Sequence, residues 1–174
     1  GESRVRRRAG KGLAVVVLAV IAVVPIYQLY GLLREQNQAD ANRLLYEVSL
    51  FQLDQLVRFM NETGQYHGTE ELDPLKLAAY SAGFAHDRLV AATKGRLEPL
   101  AGFDRIVHYI TGLQIGGRRL LTEEERELFA EAQEPLPRLY EAYGQAVNKR
   151  GDVISSMNGK LAEADRQLVA LFAH

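Results

Sequence analysis

The longest apolar stretch of the chain lies near its N-terminus. Residues 13–33 form a run of 21 residues without a charge, and its first part, Leu13 to Ile26, consists of Leu, Ala, Val, Ile and one Pro. At about 1.5 Å per residue, a helix over this run is roughly 31 Å long, which matches the hydrocarbon thickness of a bilayer. The pattern therefore predicts a transmembrane helix over residues 13–33.

The charges that flank this run predict how it is oriented. Only Arg34 and Glu35 follow it directly, whereas five cations precede it: Arg4, Arg6, Arg7, Arg8 and Lys11. By the positive-inside rule, residues 1–12 form a basic cytoplasmic tail that favours contact with anionic membrane lipid, and residues 34–174 are extracytoplasmic. A cleaved secretory signal is the alternative, but the bulky residues from Pro25 to Tyr30 do not suit a cleavage site.

Beyond the apolar run, hydrophobic residues recur at three- and four-residue steps, which indicates amphipathic helices. The first covers residues 36–60 and carries Leu44, Val48 and Phe51, with Leu45, Leu53, Leu56, Phe59 and Met60 beside them. Asp73 and Pro74 begin a second helix that Pro99 ends. Its inward face is mostly small: Leu75, Ala78, Ala82, Ala85, Leu89 and Ala92.

Turn and capping residues set the remaining boundaries. Apolar spacing from Leu100 to Ile110 predicts a third helix that stops near Gly112. Thr122 stands three residues before Glu125, which is the spacing of a capping box. This spacing predicts a helix from Glu123 to about Gln133, followed by a break near Pro135 and Pro137.

From Tyr140 to Leu171 the 3-4 alternation predicts one last helix of about 30–35 residues. The fold class is therefore all-α: an N-terminal transmembrane helix followed by an antiparallel helical bundle with a long C-terminal helix. The apolar stripe along this helix is too long for one short neighbouring helix to cover. It therefore predicts an interaction seam for a protein partner or a second copy of the chain. The seam residues are Tyr140, Tyr143, Val147, Arg150, Ile154, Met157 and Leu161.

Composition narrows the function. Residues 35–174 hold 15 cations and 21 anions, a charge of −6, and this acidic balance argues against nucleic acid. The absence of cysteine excludes disulfides, thiolate zinc sites and a cysteine nucleophile. Among the four histidines, His86 beside Asp87 comes nearest to a ligand pair, but adjacent helical side chains diverge by about 100°. The sequence predicts no catalytic, cofactor or metal site. It predicts a non-catalytic binding protein.

The segments Leu97-Glu98-Pro99-Leu100 and Leu121-Thr122-Glu123-Glu124-Glu125, with Leu139-Tyr140 downstream, carry a family resemblance. Together with the single anchor and the helical body, they resemble the N-terminal region of the spore-germination protein YpeB family. The resemblance implies a protein of the inner spore membrane that supports and localises a cortex-lytic enzyme during sporulation and germination. The absence of Trp departs from the family.

A second function fits the same predicted architecture. An anchor, an extracytoplasmic bundle and a long final helix are also typical of the sensor region of a bacterial receptor or histidine kinase, cut before its second membrane span. A hydrophobic 20-mer after Phe172 in the full-length gene would favour the sensor, and small α/β repeats would favour the germination protein.

Overall fold

The computed structural model describes the backbone of residues 2–173. Side chains are described except at residues 1–11, 14, 15, 18, 21, 22 and 174, so the predicted topology residues Arg4, Arg6, Arg7, Arg8 and Lys11 lie outside the described side chains. The chain divides into two compact units, residues 1–40 and residues 41–174.

The first unit is helical throughout its described length and belongs to helix α1, Glu2–Glu62. Pro25 lies inside this helix, as predicted. Described apolar side chains of the predicted span are exposed in the chain alone, from Val24 at 46% to Tyr27 at 76%. Within the part of the chain that the structure describes, no helix combines the length and the apolar character needed to cross a membrane. Five residues of the predicted span lie outside the described side chains: Ala14, Val15, Leu18, Ile21 and Ala22.

The second unit is a helical bundle, and the all-α prediction is confirmed. After the C-terminal part of α1 come two short 3-10 turns, Thr63–Gln65 and Thr69–Leu72. The remaining helices are α2 (Asp73–Ala92), α3 (Gly102–Gln114), α4 (Glu123–Ala132), α5 (Pro135–Gly144) and α6 (Ser155–Leu171). Extended pairing among the described residues is limited to two isolated bridges, Gly68 with Leu120 and Val147 with Val153.

One core holds this unit together. α1 contributes Tyr46, Leu53, Leu56 and Met60, which recur at steps of seven, three and four residues and therefore share one face. α2 contributes the small-residue face that the sequence predicts and packs against α3, and α5 packs against α6. Asn42 Nδ2 lies 3.5 Å from the carbonyl oxygen of Ala92, so the start of this part of α1 meets the end of α2. The two helices are therefore antiparallel.

The predicted starts of α2 and α4 are confirmed. Pro74 occupies the first turn of α2, where its missing N–H costs nothing. The helix begins one residue earlier, at Asp73, so Asp73 is not the cap of α2, and no side chain caps this helix. At α4, the Thr122 hydroxyl accepts a hydrogen bond from the Glu125 backbone N–H at 3.2 Å. The Glu125 carboxylate in turn accepts from the Thr122 N–H at 2.9 Å, which completes the capping box.

The predicted end of the second helix at Pro99 is wrong, because α2 stops at Ala92. Lys94 and Gly95 adopt left-handed φ values of 55° and 74°, and the Gly95 N–H donates to the Val90 carbonyl at 2.9 Å. This bond wraps the chain back over the last turn and closes the helix. Residues 93–101 then form a connecting segment without regular structure.

The predicted long C-terminal helix is also wrong, because the structure has two helices, α5 and α6, joined by residues 145–154. The Asn148 carbonyl oxygen Oδ1 accepts from the N–H groups of Arg150 and Asp152, at 2.9 and 3.0 Å. Gly151 takes a left-handed φ of 84°. Together these features make a tight Asx-type turn, which folds α6 back against α5 as an antiparallel hairpin.

Candidate interaction surface

The hairpin redistributes the residues of the predicted interaction seam. Tyr143, Val147 and Leu161 are buried in the core of the bundle. Tyr140 and Met157 are half-buried. Because these five side chains pack within the hairpin and its neighbours, they do not form one continuous exposed stripe.

The other two seam residues lie at the turn between the helices. Arg150 is exposed, and its backbone N–H is held by Asn148. Ile154 is 37% exposed and immediately precedes α6. The cation inside the predicted apolar row thus lies in the connection between α5 and α6, where the chain meets solvent.

His86, Tyr143 and Tyr46 form a buried polar cluster. His86 is 1% exposed, and its Nε2 lies 2.7 Å from the Glu98 carbonyl oxygen. Since a carbonyl only accepts, Nε2 carries the proton and Nδ1 accepts from the Tyr143 hydroxyl at 2.9 Å. The Tyr46 hydroxyl donates to the Tyr143 carbonyl at 2.5 Å, and the two tyrosine rings stack. This cluster joins α1, α2 and α5.

Burial controls the ionisation of this cluster. Desolvation lowers the pKa of His86 below its usual value, and the Glu98 carbonyl with the carboxylates of Asp87 and Asp165 opposes the effect only in part. Burial likewise raises the pKa of Tyr143. Both groups are therefore neutral near pH 7 and serve to orient the helices that carry them.

α6 holds the segment between α2 and α3 in place. Asn158 Oδ1 accepts from the Glu98 N–H at 2.7 Å, and its Nδ2 donates to the Arg96 carbonyl at 3.1 Å. Farther along α6, the Asp165 carboxylate accepts from the N–H groups of Ala101 and Gly102, at 3.0 and 2.8 Å. Asp165 thus caps the start of α3 from another helix, which the local sequence does not indicate.

A row of large apolar side chains lies on the exposed side of α2. Leu77 is 65% exposed, Tyr80 58% and Phe84 53%. Tyr80 and Phe84 stack with centroids 6.4 Å apart, and the Arg88 guanidinium lies 4.8 Å from the centre of the Phe84 ring. Leu77, Tyr80 and Phe84, called the α2 stripe below, follow a 3-4 spacing and share one side of the helix.

A second row lies on α1. Leu44 is 63% exposed, Val48 44% and Phe51 60%, although the same helix buries Tyr46, Leu53, Leu56 and Met60. The exposed row and the buried row are on opposite sides of the helix, because they differ by about half a turn. Leu50 and Phe51 also line a groove on the surface of this helix. Tyr140 lines the same groove and is the only residue of the predicted interaction seam there among the described side chains. The groove also has three charged residues: Glu47, Asp54 and Arg58.

The sequence contains a signal for the α2 stripe. Once the small residues of α2 are assigned to the core, Leu77, Tyr80 and Phe84 are left over at their own 3-4 spacing. The row on α1 is harder to recognise, since both sides of the helix carry large apolar residues. Only the structure shows that Leu44, Val48 and Phe51 face solvent in the chain alone.

A pocket of about 310 Å³ opens between α5 and α6. Half of its lining residues are charged: Arg138, Glu141, Lys160 and Glu163. Within the described residues, no group of three or more His, Asp or Glu side chains is placed to hold a metal ion.

Comparison of the chain with protein-family models, curated proteins and solved structures finds no match. The resemblance to the YpeB family stays a prediction.

Proposed function

We propose that the chain is a membrane-anchored, non-catalytic binding protein whose α2 stripe contacts an extracytoplasmic protein partner. The observation that carries the proposal is the exposure of Leu77, Tyr80 and Phe84 on a helix whose other face already fills the core. Clustered exposed apolar side chains generally mark interaction sites.

The chemistry of the α2 stripe suits a protein–protein contact. Aromatic residues and Arg are enriched at the centres of such interfaces, and here Tyr80, Phe84 and Arg88 already form a stacked column. Aromatic side chains that are stacked before binding lose less freedom when a partner covers them. Burying the exposed part of each large side chain contributes about 1 to 2 kcal/mol.

The anchor is the second part of the proposal. Its support is the uncharged run of residues 13–33 and the exposure of the described apolar side chains within it. A helix that is apolar on all sides is typical of a membrane span or of the interior of a large protein. The cations that precede the run orient the body to the extracytoplasmic side.

Within this proposal, the resemblance to the YpeB family supplies a class of partner, a cortex-lytic enzyme of the spore. In that case the chain retains the enzyme at the inner spore membrane and does not act on substrate itself. The proposal of a binding protein does not depend on this class, because it is argued from the α2 stripe.

Site-specific photo-crosslinking in native membranes tests the proposal. A photoreactive amino acid replaces Tyr80 in the full-length chain, and mass spectrometry identifies what it captures. We expect one partner, captured in proportion to the chain. Leu77→Asp with Phe84→Asp should abolish capture, because two carboxylates would have to be buried in an apolar contact.

The matched control changes two other exposed apolar residues, Ile115→Asp and Leu120→Asp, which are 82% and 75% exposed in the chain alone. It should leave capture unchanged, since these positions are outside the α2 stripe. The proposal would be contradicted if both double variants lost capture equally, or if the photoreactive chain captured nothing in native membranes. Capture of a second copy of the chain would replace the partner with a homo-oligomer.

A further inference from the structure

We propose that the second unit has a lipid-binding end, formed by Lys94, Arg96, Lys149 and Arg150, that binds the anionic phosphate headgroups of membrane lipids. We call these four residues the basic end. All four are exposed, and none forms an ion pair with a carboxylate within the described side chains. The inference rests on the membrane anchor of the proposed function.

Contacts with α1 bring the two basic turns to the same end of the bundle. Asn42 reaches the carbonyl of Ala92, two residues before Lys94. The next residue, Arg43, donates from its guanidinium to the carbonyl of Asn148 at 3.2 Å, directly before Lys149. Asn158 in turn bonds to Arg96, so the start of α6 joins the two turns.

The backbone fixes both turns. Gly95 and Gly151 have left-handed φ values, and hydrogen bonds from Gly95 to Val90 and from Gly151 to Asn148 close the turns at 2.9 and 3.0 Å. Lys94 is held at a φ of 55°, a conformation that costs most residues other than glycine about 1 to 2 kcal/mol. A cation therefore occupies a position where glycine would be more stable.

Charge is distributed unevenly over the second unit. Besides the four cations, Arg43 lies at this end and pairs with Glu47. Two further carboxylates lie here: Asp152 in the second turn, 3.5 Å from Asn148 Nδ2, and Glu98, two residues after Arg96. The opposite end is acidic, where the turn after α1 meets α4. Arg126 bonds there to the Tyr66 carbonyl and Gln133 to the Met60 carbonyl. Its cations are Lys76, Arg118, Arg119 and Arg126, of which Lys76 and Arg119 pair with Asp73 and Glu125. They are outnumbered by its carboxylates: Glu62, Glu70, Glu71, Asp73, Glu123, Glu124, Glu125, Glu127, Glu131 and Glu134.

The covalent chain limits how far the basic end can be from the predicted membrane segment. Residue 33 ends that segment, and residue 41 begins the second unit beside the basic end. Eight residue steps span at most about 29 Å even when fully extended. An anionic bilayer attracts the basic end and repels the acidic one, so it selects the orientation with the basic end toward the headgroups.

Each cation at an anionic surface contributes about 1 kcal/mol, which is about a fivefold change in the ratio of docked to undocked bundle. Screening shortens the range of the attraction as salt is added. We therefore expect docking to fall about fivefold for each cation removed and to weaken in high salt.

Fluorescence quenching in nanodiscs tests this. The chain contains no cysteine, so one introduced cysteine gives a unique site for a fluorophore. Ala91→Cys places it on the last turn of α2, beside the basic end, and Gln65→Cys places it at the acidic end. The full chain is reconstituted in phosphatidylcholine, alone or mixed with phosphatidylglycerol, with lipids that carry a quencher on the headgroup.

We expect phosphatidylglycerol to increase quenching at position 91 and to leave position 65 unchanged. Replacing all four cations of the basic end with Gln should abolish the increase. An equal loss of charge elsewhere should not, and the matched variant replaces Arg58, Arg105, Arg118 and Arg166 with Gln. Equal quenching at position 91 in the two lipid compositions, or the same loss in both quadruple variants, would overturn the inference.

Two further measurements distinguish a lipid headgroup from a free phosphate, and the basic end from the anchor. The first compares inorganic phosphate with chloride at the same ionic strength. If phosphate reverses the quenching more than chloride does, the basic end binds free phosphate and the lipid assignment is overturned. Carbonate extraction reports on the anchor alone. If the chain is extracted, the anchor of the proposed function fails, and quenching on phosphatidylglycerol vesicles still decides whether the basic end binds lipid.

Discussion

Protonation of His86 should destabilise the bundle in mildly acidic solution. In the folded chain Nε2 donates to Glu98 and Nδ1 accepts from Tyr143. A second proton would bind to Nδ1 and point at the Tyr143 hydroxyl, which donates its own hydrogen to Nδ1 in the folded chain. The hydroxyl would have to turn, and a charge would remain in a site that is 1% exposed. The fold therefore favours neutral imidazole.

The sign and size of the effect follow from linkage. Burial lowers the pKa of folded His86 below the ordinary 6.5, so between the two values the unfolded chain binds more protons than the folded one. The free energy of unfolding then rises with pH in this window. The contribution of His86 is fully present above about pH 6.5 and is lost as pH falls toward the folded pKa, by at most about 1.4 kcal/mol per pH unit.

Urea unfolding followed by circular dichroism measures this slope. Residues 41–174 are suitable for the assay because they contain all of the buried core that the described side chains form. His86→Gln removes the titrating group and should flatten the slope between about pH 6.5 and pH 5, where few carboxylates titrate. It should also cost about 1 to 3 kcal/mol near pH 7, since the Tyr143 hydroxyl loses a well-placed acceptor.

His67→Gln and His108→Gln are the controls, because both side chains are exposed. They should retain the slope of the natural chain. If His86→Gln has the same slope as the natural chain, another group provides the pH dependence and the assignment of a buried neutral imidazole is wrong.

Three substitutions test the connections of the bundle, each by its effect on the urea midpoint. Gly102→Ala should destabilise by about 1 to 3 kcal/mol, because the new Cβ would lie 2.8 Å from Asp165 Oδ1 and 3.0 Å from Leu168 Cβ; an unchanged midpoint would contradict the close contact. Thr122→Ala should cost about 1 kcal/mol by removing the cap of α4, whereas Thr111→Ala, exposed within α3, serves as its control. Lys94→Gly should stabilise by about 1 kcal/mol, since glycine adopts the left-handed conformation without strain, and a loss of stability would refute the argument from φ.

Local sequence signals predict those helix starts where one residue satisfies the backbone. Thr122 with Glu125 carries the whole cap of α4 within four positions, and the structure begins α4 there. At α2 no side chain caps the helix, and Pro74 in its first turn is the local signal of the start. The cap of α3 comes instead from Asp165, 63 positions away from Gly102. No local pattern contains that information, because it depends on how α6 packs.

Periodicity alone does not reveal the break between α5 and α6. Val147, Ile154 and Leu161 are seven residues apart and, with Arg150 and Met157 between them, keep the 3-4 alternation through the turn. They therefore fit one long helix as well as a hairpin. The decisive features are the side-chain bonds of Asn148 and the left-handed Gly151. Each glycine alone weakens a helix by only about 1 kcal/mol, whereas the hairpin gains the packing of two apolar faces.

The surface is less predictable than the core for a related reason. α1 carries large apolar residues on two opposite sides, and their identities do not say which side meets the rest of the chain. On α2 the difference in size decides, since alanines allow α3 to approach closely and leave Leu77, Tyr80 and Phe84 outside. Side-chain volume is therefore more informative than hydrophobicity where a helix has two apolar sides.

The α2 stripe and the basic end lie at different distances along the axis of α2. Phe84 and Leu77 precede Ala92 by 8 and 15 residues, which are about 12 and 23 Å along the axis of α2. Lipid headgroups at the basic end and a protein partner at the α2 stripe would therefore contact separate parts of the second unit. Removing the four cations should then leave the affinity of a partner for the α2 stripe unchanged. It should alter only how the bundle is held relative to the membrane, and so the two surfaces can be tested independently.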